Sequence, residues 1–340
     1  MTLNAMKNTL KPISKRRAQC SFVLALVLLA AMSYANAQEL TPLIVNDESH
    51  SAHILPPPGE ALLRQSSPAG ALSYHGGPVM LSATTYAIFW IPSSGLLQDG
   101  RTRTSMSAHY QLVQENLLAQ YPGHGVDNNN TQYFQIVNGS TNYIDNVAGL
   151  GGFYVDTSSY PASGCTDPFT GKNCISDAQI QAEIKKVMTL NGWTGGPNKM
   201  FLLFTSSGEG SCFGSYCAYS YYCGYHSYFT GSSTVIYGNE PYGDPNYCQA
   251  PGTPSPNGDP AADTAATVAS HELTEAITDP QLNAWYVNDG HHTEIGDLCA
   301  YKYGANTWDG GQANQMWSGV FFELQTEYDN HTSSCVQVGP

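Results

Sequence analysis

Basic residues are scarce in this sequence. Its 340 residues hold 13 Lys and Arg against 27 Asp and Glu, a formal net charge of −14. A surface this acidic is repelled by nucleic acid and by anionic membranes, which leaves cations and neutral substrates as partners. Long hydrophobic runs are scarcer still. The one present, FVLALVLLAAM at 22–32, is too short to cross a bilayer comfortably. There is no G-x-S-x-G nucleophile elbow and no Walker or dinucleotide glycine pattern, which removes the usual serine-hydrolase and nucleotide-binding readings. There is no C-x2-C pair, which argues against a cysteine zinc site. No internal repeat occurs, and no spacing of acids singles out a glycosidase pair.

What is there begins with an export signal. Lys7, Lys11, Lys15, Arg16 and Arg17 precede the apolar run, and ANA at 35–37 closes it as a small-x-small cleavage site. Residues 1–37 therefore read as a secretory signal peptide, and the mature chain as secreted or periplasmic with no membrane attachment. Cleavage leaves 8 Lys and Arg against the 27 acids. It also removes Cys20, leaving eight cysteines: Cys165, Cys174, Cys212, Cys217, Cys223, Cys248, Cys299 and Cys335. An even number in an exported chain predicts disulfides. Eight cysteines allow about 105 pairings; Cys165–Cys174 as a local loop and Cys299–Cys335 as a C-terminal tether are the expected ones.

Residues 38–70, rich in Pro and Ser, read as a flexible lead-in, and 71–340 as one globular domain. Apolar runs predict strands at 86–91, 133–137, 151–155, 200–205 and 234–238. Helical spacing predicts helices over 105–121 and from Ser176 to Gly192, the second with a capping box at Ser176 and Gln179. The class is α/β (α+β), a disulfide-stabilised mixed sheet around a buried helix. The stretch SCFGSYCAYSYYCGYHSYF (211–229), dense in Cys and Tyr, reads as a disulfide-held loop whose tyrosines are packing or a substrate platform.

The chemistry concentrates in VASHELTEAITDP, 268–280. Asp259 as N-cap, Pro260 in the first turn and Pro280 after the end predict a helix over 260–279. His271 and Glu275 then share one face, one turn apart. This is how H-E-x-x-H helices hold zinc, with the intervening residue, here Glu272, as general base toward the metal-bound water. A carboxylate replaces the second histidine and adds negative charge. Glu294 followed by Asp297 resembles the downstream glutamate and aspartate of thermolysin-like metalloproteases. The resemblance implies Glu294 as third ligand and Asp297 as holder of the free ring N–H of His271; Asp279 is the rival ligand. Crowding Glu272, Glu275, Asp279, Glu294 and Asp297 without a cation would be costly. Zinc is the expected ion, with calcium on Asp279, Asp289, Glu294 and Asp297 the alternative. His291 and His292 read as exposed loop residues that could assist.

YHGGPVM (74–80), the following TTYAIFWIP, CGYHS (223–227), VIYGNEPY and the helix ending in TDP resemble the phosphate-induced protein 1 / Exordium-like family of exported proteins. Plant members look like cell-wall or apoplastic growth-related proteins without a settled biochemical activity. The chain looks like a microbial branch carrying a zincin-type helix. The combined expectation is an exported zinc metallopeptidase of zincin-like fold, acting on a peptide or cell-wall substrate. The alternative is a non-catalytic extracellular binding or signalling protein with a structural zinc or calcium site.

Overall fold

Seven strands assemble the main sheet of this computed structural model, which describes residues 40–64, 70–103 and 106–340. The expected signal peptide lies outside the described residues. The strands are β1 (Ile44–Asn46), β2 (Ser51–Leu55), β3 (Ala83–Trp90), β4 (Ala148–Asp156), β5 (Lys199–Thr205), β6 (Gly224–Thr230) and β7 (Thr234–Glu240). Their spatial order is β1-β2-β6-β7-β5-β3-β4. One half, β7-β5-β3-β4, is parallel, and the other, β1-β2-β6-β7, is antiparallel. The sheet is therefore mixed.

Residue alternation sends each strand's side chains to two layers. On β3, Ala87 and Phe89 join Tyr110, Val113 and Leu117 of α1 (Ala108–Gln120) and Ala265, Ala269 and Leu273 of α3 (Pro260–Thr278). Tyr86, Ile88 and Trp90 face the other way, onto Ile180, Ile184 and Val187 of α2 (Asp177–Asn191). Helices thus cover both faces. The signals at the ends of α2 are as expected: Ser176 N donates to Gln179 Oε1 at 3.1 Å, and Gly192 closes the helix in the left-handed region. In α3, Asp259 caps through Ala262 N at 3.2 Å. Its alanine-rich first half lets the backbone pack closely, and residues 262–278 are all buried.

Four disulfides brace the fold: Cys165–Cys174 and Cys299–Cys335, as expected, with Cys212–Cys217 and Cys223–Cys248. Among the described residues no helix is long and apolar enough to cross a membrane.

Two expectations are corrected. The lead-in is not loose: β1 and β2 add to the sheet edge, β2 pairing with β6 from Gly224↔Leu55 to Ser227↔Ala52. The compact unit accordingly begins at Thr41. The Cys- and Tyr-rich stretch is not all loop either. Its second half is β6, a sheet strand buried from Gly224 to Ser227. Tyr222 and Tyr225 are fully buried there, so these two tyrosines are packing. Short Pro- and Cys-punctuated strands carry weak patterns, and tertiary pairing overrides them.

Candidate metal centre

The register of β2 against β6 sets His53 directly opposite His226. Their neighbours Ala52, Ile54 and Tyr225 belong to the α2 side, so both imidazoles point to the other face, onto α3. Their ring centroids are 5.4 Å apart. Below them α3 presents His271, Glu272 and Glu275. The helix comes this close because β6 begins on a glycine. A Cβ on Gly224 would stand 2.6 Å from Val268 Cγ1 and 2.9 Å from Glu272 Oε1. Gly296 has the same role on the far side, where a Cβ would meet His271 Nδ1 at 2.6 Å.

Glu275 is the hub. Its Oε2 lies 3.0 Å from His53 Nδ1 and 3.7 Å from His226 Nδ1, and its Oε1 lies 3.1 Å from His271 Nε2. Oε1 also accepts from Asp297 N at 3.1 Å. Each imidazole has one nitrogen anchored. His53 Nε2 donates to His292 O at 3.0 Å, His226 Nδ1 meets Glu272 Oε2 at 3.2 Å, and His271 Nδ1 meets the Gln325 amide at 2.9 Å. The other nitrogen of each, His53 Nδ1, His226 Nε2 and His271 Nε2, has no hydrogen-bond partner, and neither has Glu275 Oε2. All four residues are 0 % exposed. In His53 and His226 the held nitrogen donates and the other is free, the arrangement metal-bound histidines adopt; His271 Nδ1 instead accepts from the Gln325 amide. Ligand atoms of a tetrahedral zinc with bonds of about 2.0–2.1 Å stand about 3.3 Å apart; the unpartnered nitrogens of His53 and His271 lie close to that from Glu275, at 3.0 and 3.1 Å, while the unpartnered Nε2 of His226 faces Glu294 Oε2 at 3.9 Å.

The electrostatics fit a cation. His53 donates through Nε2, so its Nδ1 lone pair faces a carboxylate oxygen, and only a proton or a metal ion makes that contact favourable. Burial pushes His53 down, but Glu294, Glu275 and Asp297 outweigh it and hold the ring well above the ordinary imidazole range. Burial, helped by His53, drives His226 down to about 3, leaving a neutral imidazole. Burial raises Glu272 and Glu294 well above the carboxylate range. Glu275 is held low against its burial by His271 and His53.

Of the residues expected from sequence, the structure joins His271, Glu272 and Glu275 in one group of potential ligands. Glu294 lies elsewhere, 3.7 Å from His53 Nε2 and 3.9 Å from His226 Nε2, grouped with Asp279 and His292. Asp297 does not take the expected position on His271: it stands 3.2 Å from His53 Nε2 and accepts from Glu294 N, while Gln325 occupies His271 Nδ1. Gly296 brings the backbone against the His271 ring, and the Asp297 carboxylate is held by Glu294 N at 2.8 Å. Asp289 binds its own loop through His291 N and Thr293 Oγ1, apart from the calcium set expected for it. His291 is exposed, but His292 is half-buried and turned inward, 3.5 Å from Asp279 Oδ2.

Sequence reasoning missed His53, His226 and Gln325. The signal for the first two was a histidine at an inward position of a short apolar strand, in SAHIL and GYHSYF. Two other clusters are already satisfied. Cys165, Cys174 and Cys212 are in disulfides. Asp177 pairs with His50 at 3.0 Å while accepting from the hydroxyls of Tyr225 and Tyr237, each at 2.6 Å.

Residues 237–318, which include α3 and Glu294, match the phosphate-induced protein 1 conserved region. The chain is 35 % identical over 127 residues to Protein EXORDIUM-like 5 of Arabidopsis thaliana, covering 30 % of this chain and 34 % of the relative. It is 36 % identical over 102 residues to Protein EXORDIUM-like 3 of the same plant, covering 24 % and 30 %. The match thus spans about a third of the length of these curated relatives. No solved structure matches the chain.

Proposed function

We propose, from the match to the phosphate-induced protein 1 conserved region and from the buried donor set, that this chain is an exported zinc-dependent hydrolase of zincin type, acting on peptide bonds. The observation that carries this reading is the buried pair of imidazole nitrogens on Glu275, His53 Nδ1 at 3.0 Å and His271 Nε2 at 3.1 Å, neither with a hydrogen-bond partner, with His226 beside them. The four disulfides support an oxidising, extracellular location. The candidate donors are His53, His226, His271 and Glu275, a revision of the set His271, Glu275 and Glu294 expected from sequence; a catalytic zinc would take three of them and leave its fourth position to water.

Zinc, when bound, supplies Lewis acidity and a water acidified toward neutral pH. The chain's residues do the rest. Glu272 is one step round α3 from His271, so it reaches beside the ligands. Its Oε2 is fixed by His226 Nδ1 at 3.2 Å, and its Oε1 has no partner. That free oxygen is the proton acceptor. Burial holds Glu272 high, and a neighbouring cation counters this shift and restores the base. Gln325 and His292 O fix the rings of His271 and His53, and the apolar wall of α3 excludes bulk water.

A second reading, a structural metal in a non-catalytic extracellular protein, is favoured by one observation: every donor is 0 % exposed. Glu272→Gln separates the two. The change is nearly isosteric, so metal and fold are kept. On the hydrolase reading, turnover of a mixed peptide library falls roughly 10²–10⁴-fold and chelation abolishes it in the wild type. Zinc-loaded wild type that cleaves no peptide gives the site to the structural reading.

A further inference from the structure

We propose that Asp279, His292 and Glu294 form a second, outer zinc site, distinct from the inner centre and reachable from solvent. Asp279 closes α3. Its Oδ1 is occupied, accepting from Asn283 N at 2.5 Å and Ala284 N at 2.7 Å, so Oδ2 is the atom left over. Oδ2 has no hydrogen-bond partner, although Asp279 is fully buried. His292 Nε2, 3.5 Å away, also has none. Nor has either oxygen of Glu294, which is likewise fully buried. One atom from each of the three lies within 4.8 Å of the other two, a spread that small inward shifts bring to the edge of about 3.3 Å of a tetrahedral zinc.

Two carboxylates and an imidazole suit a borderline divalent ion such as zinc. Buried carboxylate oxygens without partners are costly unless a cation or a proton satisfies them. The His292 ring is held at this position: its residue takes the left-handed region at φ 63°, and the ring stacks on Tyr286 at 3.4 Å, which stacks on His75 at 3.6 Å. His292 is 21 % exposed at its side chain, so the outer ion can exchange where the inner one is enclosed. The two sites share a wall. His292 supplies the carbonyl that fixes His53, and Glu294 lies against His53 and His226.

The test is zinc titration of the metal-free protein, counting zinc per chain by mass spectrometry after removal of free ion. The wild type is expected to bind about two ions of the kind these donor sets hold. His292→Ala, a change in a half-buried loop, loses one of them and keeps the other. Asp279→Asn, which retains the Oδ1 acceptor, does the same. A wild type that saturates at one zinc, lost in His271→Ala and kept in His292→Ala, overturns the outer site and leaves the inner one intact. One zinc lost in His292→Ala and kept in His271→Ala supports the outer site and removes the inner reading. Two zinc ions retained in both His292→Ala and Asp279→Asn overturns the proposal.

Discussion

Replacing His53 by alanine separates a metal centre from an ordinary buried ion-pair cluster. His53 is fully buried, with Glu275 Oε2 at 3.0 Å, Asp297 Oδ2 at 3.2 Å and Glu294 Oε1 at 3.7 Å. Removing it leaves buried carboxylates uncompensated, a loss of about 3–5 kcal/mol on either view. The metal adds a second, separable component. An ion that binds only the folded chain stabilises by about 2.7 kcal/mol at a hundredfold excess over its Kd. At roughly 2–4 °C per kcal/mol for a domain of this class, chelation should lower the wild-type Tm by about 5–10 °C. In His53→Ala the Tm is lower at the start, and chelation should move it by less than half as much, because one of the inner donors is gone. The assay is differential scanning calorimetry of both proteins with saturating zinc and with excess chelator. A wild-type Tm indifferent to chelator refutes the reasoning, and so does a mutant shifted as far as the wild type.

Other expectations concern the frame around the centre. Gly224→Ala drives a methyl group against Val268 and Glu272 and should cost about 1–3 kcal/mol by denaturant melts; Gly59→Ala, with nothing within 4 Å, should not destabilise. Asp127 is buried, with its Oδ1 accepting from Asn130 Nδ2 at 2.9 Å, and burial raises it to about 7. Between its unfolded value of 3.8 and about 7 the native chain binds the extra proton, so stability falls as pH rises through this window. Asp127→Asn should remove that slope and raise stability at pH 8 by roughly 2–4 kcal/mol, read from melts at pH 5 and pH 8. Thiol titration of the unfolded, unreduced mature protein should read near zero. The double change Cys223→Ser with Cys248→Ser should cost about 3 kcal/mol and, by loosening the start of β6, weaken zinc retention.

The helix of the site was legible because its signals are local. Asp259, Pro260 and Pro280 mark its ends, and the i, i+4 spacing of His271 and Glu275 fixes one face whatever the tertiary fold. The parallel strands were legible for a similar reason: FLLF and AIFW are buried on both faces, so they read as continuous apolar runs. What the sequence hid is what depends on pairing between distant segments. His53 and His226 are 173 positions apart, and only the β2–β6 register sets them opposite one another. The same holds for Gln325, which reaches His271 from a segment 54 residues downstream. Glu294 and Asp297, expected beside His271, both lie nearer His53, at 3.7 and 3.2 Å from its Nε2, a contact that depends on where β2 sits in the sheet.

Anomalous diffraction at the zinc edge, from crystals of the zinc-loaded protein, tests the central claim most directly. The expected result is a strong peak among His53, His226, His271 and Glu275, with ligand atoms at about 2.0–2.2 Å. A map without anomalous density there, with the carboxyls of Glu272 and Glu294 protonated and hydrogen-bonded to the imidazoles, would contradict it.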